Sequence, residues 1–168
     1  MLTATKPLLA LTAADLMSTN VVTVPQSMSL QGAARMLSRA EISGAPVVDS
    51  EGRCVGVLSA TDFVSWAEKG EHAAKQGKEA CSCAFFSAWQ VLEMEDLPTS
   101  EVCRYMTKDP VTVPPGTPIG AVAQKMVDGH IHRVIVVDSD ERPTGIVSST
   151  DILAAVAYAD RKRLAAKG

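Results

Sequence analysis

The chain has 168 residues, of which 46% are hydrophobic and only 4% aromatic, and its formal charge is −3. That is enough for one domain or two small halves sharing a core, which must be built from Val, Ile, Leu, Met and Ala in layers of strand and helix. The weak acidity and the lack of a basic stripe argue against nucleic acid. No stretch approaches the roughly 20 apolar residues of a membrane span, and no secretory signal is visible, so a cytoplasmic protein with Cys54, Cys81, Cys83 and Cys103 as thiols is expected.

In chain order, a β segment over 21–24 ends at Pro25, which can neither donate to a ladder nor enter the next helix. Leu30, Ala33, Ala34 and Leu37 follow at i, i+3, i+4, i+7, the spacing of a helix face, with Ser29 as its N-cap. Two short apolar runs, 45–48 and 54–58, flank the polar turn Asp49-Ser50-Glu51-Gly52 and read as paired buried strands. A closing helix is expected after Ser59. Beyond it, 68–100 shows helical character at 73–76 and 86–95, broken at Gly77, and a turn at Leu97-Pro98-Thr99-Ser100.

The same pattern then returns at an offset of 89, from Met17 to Met106, with no gap needed from Met17 to Val64. Met17-Ser18-Thr19-Asn20-Val21-Val22-Thr23-Val24-Pro25 becomes Met106-Thr107-Lys108-Asp109-Pro110-Val111-Thr112-Val113-Pro114. Ile119, Val122, Ala123 and Met126 repeat the helix face, with Thr117 as cap and Pro118 at the first helical position. Strands are expected at 134–137 and 144–147, joined by Asp138-Ser139-Asp140-Glu141, and a last helix after Ser148. One β-α-β-β-α unit leaves an apolar sheet face open, so the two should pack together.

Gly56-Val57-Leu58-Ser59-Ala60-Thr61-Asp62 and Gly145-Ile146-Val147-Ser148-Ser149-Thr150-Asp151, each ahead of a helix, resemble the closing motif of the CBS (cystathionine-β-synthase type) repeat. Met-(Ser/Thr) before Val-Thr-Val, and Ile42-Ser43-Gly44-Ala45-Pro46-Val47-Val48-Asp49, match that family too. The resemblance implies an α+β fold in which two repeats, 12–67 and 101–160, pack sheet to sheet with pseudo-twofold symmetry. A helical insert at 68–100 separates them, and a basic tail at 161–168 carries Arg161, Lys162, Arg163 and Lys167. It further implies a non-catalytic regulatory module that binds AMP, ADP or ATP, or S-adenosylmethionine, between the repeats, with no resident cofactor. Such modules often form disc-like homodimers and signal to a partner protein, here an unidentified one.

The residue chemistry suits that implication. A hydroxyl at a strand-to-helix junction and an Asp in the helix's first turn can hold a phosphate and a ribose cis diol. The plainer alternative is that Ser59, Thr61 and Asp62, with their repeats, only cap helices. His132-Arg133, which replaces Ser43-Gly44, resembles the phosphate-contacting pair of nucleotide-sensing family members, and Arg grips phosphate as a planar fork. The preferred cleft would combine Val22, Ile42, Ser43 and Gly44 with His132, Arg133, Ile146, Ser148, Thr150 and Asp151. The second would use Ser59, Thr61 and Asp62 with Val111 and Ile131.

Two other classes compete with this reading. A ligand-free dimerisation module predicts that Asp151→Ala and Arg133→Ala leave stability and partner binding unchanged whether or not nucleotide is present. A thiol enzyme would use Cys81 or Cys83, and predicts selective alkylation there. Cys81, Cys83, His72 and Cys103 lack recognised zinc spacing, and His130 and His132, two apart on a strand-like stretch, have no further ligand nearby, so no metal is expected.

Overall fold

The structure, a computed structural model, describes residues 6–69 and 97–165. Most of the expected insert, with His72, Cys81 and Cys83, lies outside the described residues, as does Lys167. In chain order the elements are α1 (Ala13–Leu16), β1 (Val24–Pro25), α2 (Leu30–Arg39), β2 (Gly44–Val48), β3 (Cys54–Ser59) and α3 (Ala60–Lys69). After the gap come β4 (Thr107–Lys108), β5 (Thr112–Val113), α4 (Ile119–Asp128), β6 (Arg133–Val137), β7 (Pro143–Ser148) and α5 (Ser149–Ala165). The fold is α+β, as expected.

Contacts gather these elements into two compact units, one of Val22–Pro110 and one of Met1–Val21 with Val111–Gly168. In the first, four strands lie in the order β1-β2-β3-β4. β1 runs parallel to β2, and the other pairs are antiparallel. Ser29 caps α2 by accepting the Gly32 N–H at 3.1 Å, and Leu30, Ala33, Ala34 and Leu37 are fully buried. They pack with Val24, Val47, Leu58 and Phe63 into one core.

The second unit repeats this in a three-stranded sheet, β5-β6-β7. Val113, Val122, Val134, Val136 and Val147 stand 89 positions after Val24, Ala33, Ala45, Val47 and Leu58, and all are buried. Among the described residues no helix is long and apolar enough to cross a membrane.

Three local expectations differ. β1 and β5 are shorter than expected, because pairing with β2 and β6 begins only at Val24↔Val47 and Thr112↔Ile135. Thr117 does not cap α4: Pro118 is extended (φ −57°, ψ 142°) and occupies the cap position, and the Thr117 hydroxyl donates to the Pro114 carbonyl at 2.8 Å. His130 is not on a strand. With φ 50° it ends α4 in the left-handed region, and the Ile131 N–H then reaches back to the Met126 carbonyl at 3.0 Å. Glu41 (φ 53°) and the Ile42 N–H to the Leu37 carbonyl (3.1 Å) do the same for α2.

The compact units do not coincide with the sequence repeats, because each repeat's leading segment is built into the other repeat's unit. β4, in the leading segment of the second repeat, pairs with β3 of the first through Gly56↔Lys108 and Val57↔Thr107. Ser18, in the leading segment of the first, bridges Ile146 on β7 of the second. The methionine and glycine that recur at equal spacing in both copies meet through this exchange. A Cβ on Gly56 would stand 2.7 Å from Met106 Sδ and 2.8 Å from the Thr107 carbonyl oxygen. One on Gly145 would stand 2.7 Å from Met17 Cγ and 2.9 Å from Met17 Cβ. The leading segment of the first repeat is also held by α1, where Asp15 accepts the Thr12 N–H and hydroxyl, each at 2.8 Å, and pairs with Lys6 at 2.9 Å. These contacts, the Lys6 hydrogen bond foremost, bring the Asp15 carboxyl down from its ordinary 3.8 to about 2.

Gly56→Ala and Gly145→Ala should each lower stability by about 1–3 kcal/mol in urea denaturation, since a half-buried methionine packed against the glycine must move. Gly120→Ala, on an α4 surface with nothing within 4 Å of the added methyl, should instead gain up to about 1 kcal/mol. A lowered carboxyl stabilises the fold above its unfolded value and loses that contribution as pH falls through the folded one. Asp15→Asn should therefore flatten the stability profile between about pH 4 and about pH 2, and leave its slope above pH 5 unchanged.

Candidate functional sites at two strand-to-helix junctions

β3 passes into α3, and β7 into α5, without an intervening loop. At the first junction the Ser59 N–H and hydroxyl both donate to Asp62 Oδ2, at 2.7 and 2.8 Å. At the second the Ser148 N–H and hydroxyl donate to Asp151 Oδ2, at 2.7 and 2.6 Å, and the Asp151 N–H returns a bond to Ser148 Oγ at 3.2 Å. This reciprocal hydroxyl–carboxylate pair is a capping box. The capping alternative thus holds for both aspartates, and it occupies one carboxylate oxygen of each.

The start of the preceding strand is tied to the same place. The Ala60 N–H donates to the Ser43 carbonyl at 2.9 Å, and Gly44 pairs with Ser59. Correspondingly, the Ser149 N–H donates to the His132 carbonyl at 2.9 Å, and Arg133 pairs with Ser148. The structure therefore brings His132 and Arg133, both exposed, to Ser148, Thr150 and Asp151 within a single unit. Ser43 and Gly44 join Ser59, Thr61 and Asp62 within the other.

The two junctions differ in what can stand beside the hydroxyl. A Cβ on Gly44 would lie 2.8 Å from the Leu58 carbonyl oxygen and 3.1 Å from Ser59 Cα, so the first strand comes too close for any side chain. Its counterpart in the second unit carries the guanidinium of Arg133.

The aliphatic candidates are half-buried. Ile42 and Ile131 follow the left-handed helix ends and pack against their own cores, and Val111 does so too. Ile146 exchanges backbone hydrogen bonds with Ser18, at 2.9 and 3.1 Å. Val22, Ile42, Ser43 and Gly44 belong to one unit, and His132, Arg133, Ile146, Ser148, Thr150 and Asp151 to the other, so the preferred set draws on both. The second set divides likewise, with Ser59, Thr61 and Asp62 in one and Val111 and Ile131 in the other. Among the described residues no group of three or more His, Cys, Asp or Glu gathers as a metal site.

Sequence reasoning missed Thr107. Its hydroxyl donates to Asp62 Oδ1 at 3.0 Å. The Met-(Ser/Thr) pattern marked the position, but nothing local points to a partner 45 residues earlier.

Comparison with known proteins places these junctions in context. The CBS domain family model matches residues 13–69 and 100–158, well over half of the chain. A homoserine O-acetyltransferase of Methanohalobium evestigatum is 27% identical over 138 residues, which is 82% of this chain and 22% of that protein. The chain spans less than a quarter of the length of the first curated relatives it matches. Among solved structures, the CBS domain pair of protein MJ0100 in complex with 5′-methylthioadenosine and S-adenosyl-L-methionine is 25% identical. Its TM-score is 0.63, covering 87% of this chain and 99% of that one. The cytosolic domain of the Mg2+ channel MgtE in complex with ATP is 28% identical with a TM-score of 0.62, covering 85% of this chain and 48% of that one.

Ser148→Ala removes half of a capping box and should lower stability by about 1 kcal/mol in thermal or urea unfolding with no nucleotide present. Asp151→Ala should do the same, so unchanged stability, the mark expected of a ligand-free module, cannot be the test of this residue.

Proposed function

Because the chain belongs to the CBS domain family, we propose that it is a non-catalytic regulatory module that binds an adenosine-containing nucleotide and signals to a partner protein. The observation that carries this reading is the β7–α5 junction. There a strand-start His132-Arg133 pair, the Ser148 hydroxyl and the Asp151 carboxylate stand together. Asp151 Oδ2 is used by the cap, while Oδ1 accepts no hydrogen bond among the described residues. An acceptor oxygen and a guanidinium carried on one strand-to-helix junction supply the polarity that a ribose diol followed by a phosphate requires.

In this reading AMP, ADP or ATP binds the preferred set, with the base against Val22, Ile42 and Ile146, the ribose on Asp151, and phosphate on Ser148, Thr150, His132 and Arg133. Ser43 and Gly44 flank the base. Ser59, Thr61 and Asp62 with Val111 and Ile131 form the second site. The structures holding ATP and S-adenosyl-L-methionine support the ligand class, and S-adenosylmethionine remains within it. The repeats 12–67 and 101–160 form one module, and two copies form a cytoplasmic homodimer. The exposed Val127 and Leu153, 68% and 67% accessible, are the kind of surface such an association covers. A ligand shifts such a module only by binding its two states unequally.

Isothermal calorimetry with AMP, ADP, ATP and S-adenosylmethionine tests the reading. At least one should bind below millimolar concentration. Arg133→Ala should weaken the nucleotides about tenfold or more while leaving adenosine nearly unaffected, since a charged hydrogen bond to phosphate is lost. No binding of any of the four at millimolar concentration overturns it.

A further inference from the structure

The two aspartates are equivalent in sequence but not in free acceptor capacity. A carboxylate offers about four lone-pair sites. Asp151 has two of them filled, both on Oδ2, by the Ser148 N–H and hydroxyl. Asp62 has the matching pair filled by Ser59, and a third, on Oδ1, filled by the Thr107 hydroxyl at 3.0 Å. The residue 89 positions before Thr107 is Ser18, whose backbone bridges Ile146 but whose hydroxyl makes no bond to Asp151 among the described residues.

From this we infer that Thr107 is a specificity-determining residue: its hydroxyl occupies an acceptor position on Asp62 and makes that site the weaker one for a cis diol. The inference rests on the nucleotide reading above and goes beyond it, because it locates the inequality of the two sites outside the His132-Arg133 difference. A ribose brings two donors. Asp151 has room for both, whereas Asp62 has room for one unless Thr107 lets go. The threonine reaches Asp62 because β4 pairs with β3, with Thr107 opposite Val57, so a residue of the second repeat's leading segment sets the reception of a ligand at the first repeat's junction.

The test titrates AMP, and separately 2′-deoxy-AMP, into the full-length protein and its Thr107→Val and Thr107→Ser variants. Thr107→Val keeps the shape and β-branching of an exposed strand position and exchanges the hydroxyl for a methyl that cannot donate. The expected result is that the weaker AMP site tightens about tenfold in Thr107→Val, is unchanged in Thr107→Ser, and shows no gain with 2′-deoxy-AMP. If the native protein binds AMP and Thr107→Val leaves both sites unchanged or weaker, the role of Thr107 is overturned and the nucleotide reading stands. If neither native protein nor variant binds AMP at millimolar concentration while circular dichroism shows both folded, both readings fall together.

Discussion

Two glycines with no room for a methyl group organise this molecule. Gly56 and Gly145 lie on central stretches of β3 and β7, and the space a side chain would take is filled by Met106 and Met17. Those methionines belong to the leading segments of the opposite repeats. Close packing of this kind tolerates little adjustment, because protein interiors are as dense as organic crystals. Once the methionines are seated, the following residues are set in register: Thr107 opposite Val57, and Ser18 opposite Ile146. The pairing of β4 with β3, the covering of each sheet's third strand and the reach of Thr107 to Asp62 all follow from that fit.

The junctions inherit a second constraint, the closeness of the strand start to the helix start. Backbone hydrogen bonds from Ala60 to Ser43 and from Ser149 to His132 hold the two ends within one turn of each other. Whatever residue opens the strand therefore stands beside the capping hydroxyl. In the first repeat it is glycine, because its backbone runs too near Leu58 to admit more; in the second it is Arg133. One geometry thus presents a bare backbone in one place and a cation in the other. Capping by these aspartates adds stability to both helices with or without a ligand. Asp151 serves folding through one oxygen and leaves the other for chemistry, whereas the second oxygen of Asp62 is taken by Thr107.

Much of this was legible in the sequence. The spacing of Leu30, Ala33, Ala34 and Leu37 marked the buried face of α2, and the 89-residue offset located the matching core of the second copy. The hairpins and both strand-to-helix junctions fell where the apolar runs and the Ser-x-x-Asp pattern placed them. What sequence could not show depended on distant partners. The short length of β1 is set by its register with β2. The cap of α4 passed from Thr117 to Pro118 because the proline's own backbone is extended and the threonine hydroxyl found a nearer carbonyl. His130 looked like part of a strand until the helix end bent the chain through a positive φ. The exchange of leading segments and the Thr107–Asp62 bond join residues far apart in the chain, and periodicity carries no information about such pairs.

The exchange also sets an order in time. Val22–Pro110 is continuous, so during synthesis all of its strands are present before the second repeat's body has been made. The other unit is split, with its first piece ending at Val21 and its second beginning at Val111. Leu11 and Ala13, buried in the finished protein, must remain without their partners until Ile119 and Ala155, for the first, and Val113 and Val122, for the second, have been made. Domains generally fold as they are completed, and contacts between distant residues form slowly. The leading segment of the first repeat, made before Val22–Pro110, is therefore among the last to find its place.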